Sequence, residues 1–171
     1  LERIADQPTL LEIALNNGSS AIRQEAAGRL KAQADIIEFI TANPDDVTEK
    51  LLNKALRSVP VEEKRGGKKQ KPANTTAIAL SQEQLLEVAI KSWDNKARQK
   101  AASLITDASN LNLYARHHMS ELDEQTVLRM TSQPLLAELA CDKYRYRQPV
   151  RMAAVSRLTV DERLGQVVWE H

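Results

Sequence analysis

Turn-forming residues are scarce in this chain of 171 residues. There are five Gly and six Pro, and two of the Gly, Gly66 and Gly67, lie side by side. Aromatic residues make up only 4%, whereas 22 Ala and 21 Leu are present. A β-rich domain of this length would need more turn residues, and more Val, Ile and aromatic side chains to pack its sheets. The composition therefore predicts an all-α fold.

Three further shortages exclude other classes of protein. No apolar run approaches the roughly 20 residues that span a bilayer, so we expect no transmembrane helix. Cys141 is the single cysteine, which excludes an internal disulfide and favours a reducing compartment, most simply the cytoplasm. The 24 Lys and Arg nearly balance the 23 Asp and Glu, so no global field draws the chain to nucleic acid or membrane. The length fits one domain, residues 1–171.

A short apolar motif recurs along the chain. It ends at six anchor residues: Ala14, Ile40, Ala89, Ala115, Ala140 and Val168. The successive intervals are 26, 49, 26, 25 and 28 residues, and the long interval contains the only low-complexity stretch. We therefore predict a structural repeat of about 26 residues with one flexible basic insertion at residues 60–80.

The second half of the repeat centres on Arg23, Arg98 and Arg151. Each arginine precedes a pair of small residues and then a large apolar residue, a spacing that places these groups on one helix face. Two intervening units lack the arginine, so strong and weak units alternate. The helices would be too short to be stable alone and must stack on one another. Local chemistry places helix starts at Asn43–Asp46, Ser81, Asp123 and Gln148–Pro149.

The segments around these arginines resemble the second helix of HEAT-like repeats. Residues 21–30 (AIRQEAAGRL), 97–105 (ARQKAASLI) and 150–158 (VRMAAVSRL) resemble the pattern Val-Arg-x-x-Ala-Ala-x-x-Leu. The resemblance is closest to compact HEAT-like arms of bacterial proteins of unknown function, although the period here is shorter than the usual HEAT length. It implies a right-handed α-solenoid of short antiparallel helix pairs. A solenoid presents a concave surface, which implies a non-catalytic scaffold for another protein or peptide.

The recurring arginines have two interpretations. They could form a row of guanidinium groups that faces a phosphate or an acidic partner. Alternatively, each arginine could bond a carbonyl or an acid of the adjacent unit and fix its stacking. We favour the second interpretation, because HEAT-like families with different partners carry Arg at this position.

Two basic segments are the candidate binding sites. One lies in the insertion and contains Lys64, Arg65, Lys68, Lys69 and Lys71; it is either an electrostatic contact for nucleic acid or an acidic protein, or a solvated linker. The other contains Lys143, Tyr144, Arg145, Tyr146 and Arg147, in which aromatic rings alternate with cations. That pattern suits stacking on single-stranded nucleic acid. The alternative is that the tyrosine rings cover the end of the core. Trp93, in the equivalent turn, is expected to pack.

No pattern typical of catalysis is present. His117 and His118 are adjacent and point to different helix faces, so a metal site is not expected. Cys141 ends an apolar helix and is expected to be a small core residue. We find no phosphate-binding glycine loop and no nucleophile motif. The sequence therefore predicts no enzyme activity, no cofactor and no small-molecule substrate; it favours a protein-binding scaffold, with a nucleic-acid-binding module as the alternative.

Overall fold

The computed structural model describes residues 6–57 and 80–159, and regular structure in these ranges is entirely helical. The described ranges contain ten α-helices, which are α1 (Gln7–Asn16), α2 (Ser20–Arg29), α3 (Gln33–Ala42), α4 (Glu49–Ala55), α5 (Gln82–Lys91), α6 (Asn95–Leu104), α7 (Ala108–His117), α8 (Glu124–Arg129), α9 (Gln133–Cys141) and α10 (Gln148–Arg157). Two short 3-10 helices occur at Pro44–Asp46 and Met119–Glu121. The all-α prediction is confirmed. None of the described helices has the length and apolar character needed to cross a membrane.

Side-chain caps explain several of the helix starts. The side chains of Ser81 and Asp123 accept hydrogen bonds from backbone N–H groups of α5 and α8, as their positions in the sequence predict. The predicted start at Gln148–Pro149 is also confirmed. The start predicted at Asn43–Asp46 is wrong, because this segment forms the 3-10 helix and α4 begins later, capped by Thr48.

The helices form two successive sets that repeat at an offset of 75 residues. Gln7 and Gln82 begin α1 and α5, and Pro44 and Met119 begin the two 3-10 helices. The helices α2, α3 and α4 match α6, α7 and α8 in the same way, while α9 and α10 begin a third set. The alternation of strong and weak units is visible in length, since α4 and α8 are the shortest of the ten helices at 7 and 6 residues.

Packing follows the order of the helices along the chain. Within pairs, α1 packs against α2, α3 against α4, α5 against α6 and α9 against α10. Between pairs, each odd-numbered helix contacts the next one, from α1 through α3, α5 and α7 to α9. Among the even-numbered helices, α4 contacts α6 and α8 contacts α10. The contacts between α3 and α5 and between α4 and α6 join the parts of the chain on either side of residue 58–79.

The predicted core positions are buried. The anchors within the described ranges are Ala14, Ile40, Ala89, Ala115 and Ala140, and all are at most 1% exposed. The small pairs of α2, α6 and α10 are buried as well, and these are Ala26–Ala27, Ala101–Ala102 and Ala153–Ala154. The sixth anchor, Val168, and residues 60–79 of the predicted insertion lie outside the described residues. Leu80, which the prediction also included in the insertion, is buried in the core.

Candidate functional site

Arg23 is held by groups from two elements. Its Nε donates to Asp46 Oδ2 at 2.6 Å, and its Nη1 donates to the carbonyl oxygen of Asn17 at 2.6 Å. Asp46 belongs to the first 3-10 helix and is 2% exposed. The Ser20 hydroxyl also donates to this carboxylate. The guanidinium therefore joins the end of α1 to the following unit, and its charge is neutralised inside the protein.

Arg98 repeats this arrangement 75 residues later. Its Nε and Nη2 donate to the two carboxylate oxygens of Glu121 at 3.1 and 2.7 Å, and its Nη1 donates to the carbonyl oxygen of Ser92 at 2.7 Å. Arg151 donates from Nε to the carbonyl oxygen of Ala140 at 3.1 Å. Each of the three arginines therefore binds a carbonyl near the end of the preceding odd-numbered helix. This geometry supports the structural interpretation of the arginine row.

Sequence reasoning missed the acidic partners and a second set of contacts. An acid lies 23 residues after Arg23 and again 23 residues after Arg98, and this shared spacing was the available signal.

Three odd-numbered helices begin with a glutamine. Its side-chain oxygen accepts a hydrogen bond from a backbone N–H that follows the paired even-numbered helix. These bonds are Lys31 N to Gln7 Oε1, Thr106 N to Gln82 Oε1 and Thr159 N to Gln133 Oε1.

The junction between the first set and the α5–α6 turn is closed by hydrogen bonds. The three bonds are Trp93 N to Asp45 O at 3.0 Å, Ser92 Oγ to Val47 O at 2.6 Å, and Glu49 N to Asp94 Oδ2 at 2.8 Å. Asp94 is also the N-cap of α6, where its other oxygen accepts from Lys96 N. A single carboxylate thus starts α6 and seals the junction with α4.

The corresponding junction between the second set and the α9–α10 turn is open. Asp142 Oδ1 accepts from Tyr144 N and Arg145 N, so this carboxylate stabilises its own turn. Among the described residues, no hydrogen bond joins residues 142–147 to residues 119–124. The N-cap of α10 is Arg147, whose side chain makes no capping bond. Arg147 therefore occupies the helix-cap position that Asp94 has at the earlier junction.

A groove of about 370 Å³ occupies this open junction. Its walls are Asn95 and Gln99 of α6, the segment Ser120–Glu124, and the segment Arg145–Arg147 with the start of α10. Tyr146 is only 6% exposed, and its buried hydroxyl has no hydrogen-bond partner within residues 6–57 and 80–159. Arg145 and Arg147 are exposed, and neither forms an ion pair with any residue that the structure describes.

The turn residues predicted as one binding site divide between surface and core. Tyr144 is 91% exposed, with the Lys143 ammonium 5.4 Å from its ring centroid, a cation–π distance. Tyr146 is buried, so its ring covers the end of the core and is not available to stack on a nucleic-acid base.

The expectation that Trp93 packs is wrong, because it is 81% exposed. Cys141 is likewise exposed and is not a core residue. Lys64, Arg65, Lys68, Lys69 and Lys71 lie outside the described residues.

Charge is segregated between the two series of helices. The five odd-numbered helices contain six acidic and two basic residues, whereas the five even-numbered helices contain three acidic and ten basic residues. Exposed glutamates occupy the centre of the recurring motif in four odd-numbered helices, at Glu12, Glu38, Glu87 and Glu138. The net charge of the chain is near zero although one series of helices is acidic and the other is basic.

The even-numbered helices carry a second groove, of about 490 Å³, between α2 and α4. It is lined by charges of both signs, including Glu25, Arg29, Lys50 and Lys54. The Lys54 ammonium donates to the carbonyl oxygen of Gly28 at 2.9 Å. Burial lowers the pKa of Lys54, and the nearby charge of Lys50 lowers it further.

The pKa of one tyrosine in the second set is strongly raised. Burial raises the pKa of Tyr114 to about 12, and the negative charge of Glu121 contributes in the same direction. The Tyr114 ring stacks on His118 at a centroid distance of 5.5 Å. His118 in turn places Nε2 3.0 Å from the Ile90 carbonyl oxygen and Nδ1 3.6 Å from Glu121 Oε1. Within the described ranges, no cluster of His, Cys, Asp and Glu is arranged to hold a metal ion.

The chain matches no protein-family model, no curated protein and no solved structure. The resemblance to HEAT-like repeats therefore rests on the residues of this chain. The features that bear on its function are the two grooves, the open junction and the segregated charge.

Proposed function

We propose that the described helices form a HEAT-like, right-handed α-solenoid in which the odd-numbered helices are one layer and the even-numbered helices the other. The unbroken series of contacts from α1 to α9 supports this arrangement. So do the two arginine–acid pairs, which recur at the same place in both sets. Each short helix buries its apolar face only against its neighbours, as in solenoids generally.

We propose that this solenoid is a non-catalytic scaffold that binds another protein through its even-numbered helices. The observation that carries this proposal is the mixed character of their surface. Exposed large apolar side chains occur on three of them, at Ile22 in α2, Leu128 in α8 and Met152 in α10, whereas the described odd-numbered helices have one, Leu113 in α7. The first three lie on helices that also carry basic residues and, in α2 and α8, a glutamate. Protein interfaces combine apolar anchors with a polar surround in this way.

Site-specific photo-crosslinking tests which series of helices binds the partner. A photoreactive amino acid would replace Lys100 or Met152 on the even-numbered helices, and Glu38 or Glu87 on the odd-numbered helices as matched exposed controls. We expect crosslinked protein products, identified by mass spectrometry, from the first two positions only. Products from the odd-numbered helices alone would contradict the proposal, as would no product at all.

Nucleic acid is the second candidate partner, because basic residues outnumber acidic ones by ten to three on the even-numbered helices and Tyr144 is exposed, which favours a polyanion that can stack. A salt titration against single-stranded and duplex oligonucleotides separates the two functions. Neutralising Lys68, Lys69 and Lys71 should make the slope of log affinity against log salt shallower by up to about 0.9 per contact on duplex DNA and about 0.7 on single strands.

The aromatic contribution is tested separately. Tyr144→Ala should weaken single-strand binding by roughly 1–3 kcal/mol if a base stacks on this ring, with little change in the salt slope. The scaffold proposal predicts that oligonucleotides bind weakly in low salt and not at physiological ionic strength. Sub-micromolar affinity at physiological salt would favour the nucleic-acid function over the scaffold.

A further inference from the structure

The two junctions differ in the sign of one charge. At the first junction, the carboxylate of Asp94 accepts from the backbone N–H of Glu49 across the gap. At the second junction, the residue at the same place before the even-numbered helix is Arg147. The α9–α10 turn is also longer and binds its own acid, Asp142, internally. The chain therefore supplies a carboxylate at one junction and leaves a space bordered by arginines at the other.

The groove at the open junction contains groups whose interactions are incomplete. Arg145 and Arg147 form no ion pair within the described part of the chain, and the hydroxyl of the buried Tyr146 lacks a hydrogen-bond partner there. Guanidinium groups bind carboxylates through charge-assisted hydrogen bonds.

We propose that this groove binds an acidic segment of the partner protein, with a carboxylate of the segment bound by Arg145 and Arg147. The inference rests on the proposed scaffold function and names the chemistry of its partner. The bound carboxylate would supply at the second junction the negative charge that Asp94 supplies at the first.

The opposite wall of the groove favours a peptide over a nucleic-acid strand. Glu121, Asp123 and Glu124 line that wall. Arg98 neutralises Glu121 and Asp123 caps α8, but Glu124 has no ion-pair partner among the described residues. A continuous phosphate chain would be repelled by this wall, whereas a peptide can direct one carboxylate to the arginines and place backbone N–H groups beside Glu124.

An NMR titration of the full chain tests the inference. The probe is a short Gly/Ser-rich peptide with a central Glu-Glu pair, and the matched probe carries Gln-Gln instead. We expect the acidic peptide to shift the amide signals of residues 120–124 and 144–147, and the Gln-Gln peptide to shift neither set. Equal binding of both peptides would overturn the proposal, as would shifts confined to other surfaces.

Arg147→Asp is the decisive variant. It reverses the charge at the groove, and Asp is a better N-cap for α10 than Arg, so the fold should be at least as stable as that of the parent chain. We expect the affinity for the acidic peptide to fall roughly tenfold or more, as for loss of a charged hydrogen bond. Arg116→Asp makes the same charge change at an exposed position of α7 and should leave the affinity unchanged.

Tyr146→Phe tests whether the groove acts through its arginines alone. The hydroxyl is buried and has no partner to lose, so the free protein should keep its stability and the acidic peptide its affinity. Unchanged affinity in Arg147→Asp, or competition of an oligonucleotide for the groove at physiological salt, would overturn the inference. Crosslinks from the even-numbered helices together with no peptide binding would reject this groove and leave the scaffold proposal standing; the absence of crosslinks would reject the scaffold itself.

Discussion

Arg98 binds Glu121 through two hydrogen bonds that join α6 to the second 3-10 helix. Nε lies 3.1 Å from Oε2 and Nη2 lies 2.7 Å from Oε1, with both side chains largely shielded from water. Arg23 and Asp46 form the equivalent pair in the first set. Because these pairs also anchor the carbonyls that end α1 and α5, each one connects three elements of the structure.

Breaking this pair should destabilise the fold. Arg98→Ala leaves the Glu121 carboxylate and the Ser92 carbonyl without their donor, and we expect a loss of about 2–3 kcal/mol in the free energy of unfolding. A double-mutant cycle with Glu121→Ala, measured by urea unfolding, should give a coupling energy above about 1 kcal/mol. Lys100→Ala, an exposed change on the same helix, should stay within about 0.5 kcal/mol of neutral. A coupling energy near zero would show that the pair has no structural role.

The buried alanine pairs should not tolerate larger side chains. Ala102→Leu adds volume at a position of α6 that is 1% exposed, and we expect a loss of roughly 1–3 kcal/mol through overpacking. Ala154→Leu in α10 should behave in the same way. Thermal and urea unfolding provide the measurement, with Lys100→Leu as the exposed control. Equal tolerance of all three substitutions would show that the helix faces are assigned wrongly.

Tyr114 should make stability fall at high pH. Its folded-state pKa of about 12 lies above the ordinary value of 10.0, so between these values the unfolded chain releases a proton that the folded chain retains. The free energy of unfolding therefore does not depend on this group below pH 10. It falls by about 1.4 kcal/mol per pH unit as the pH rises from 10 to about 12. Tyr114→Phe, which copies Phe39 at the same place in the first set, should reduce the alkaline decline. Identical urea-unfolding profiles against pH for both proteins would refute the assignment.

Removing residues 62–76 should leave the fold intact. The bonds from Ser92 to Val47 and from Glu49 to Asp94 connect the two sets and are made by residues outside this segment. We therefore expect circular dichroism to show nearly the same helical signal per helical residue, and thermal unfolding to remain a single cooperative transition. Loss of cooperativity on deletion would show that the segment is integral to the repeat and that the 26-residue register is wrong.

Much of the core was predictable because helical periodicity is local. The anchors Ala14 and Ala89 and the pairs Ala26–Ala27 and Ala101–Ala102 are all buried, and their spacing alone places them on one face. Local capping chemistry also predicted the starts of α5 and α8 correctly. It failed at Asn43–Asp46, where a proline and two acids suit a 3-10 helix as well as they suit an α-helix.

The candidate site was only partly predictable. The Tyr/Arg turn was recognised from its composition, but composition does not distinguish the exposed Tyr144 from the buried Tyr146 two residues later. The same limit explains Trp93 and Cys141, both of which the sequence assigned to packed positions. The groove had no signal in the sequence, since it exists only because the α9–α10 turn fails to close against the second 3-10 helix.

The sequence by itself determined that the described segments are helical and which small residues they bury, because these properties depend on neighbours three, four and seven positions away. Only the tertiary structure decided which acid each arginine binds, since Asp46 and Glu121 reach Arg23 and Arg98 through packing across 23 residues. It also decided that one junction is open. Such features depend on how one unit packs on the next, which the spacing of residues within a short helix does not determine.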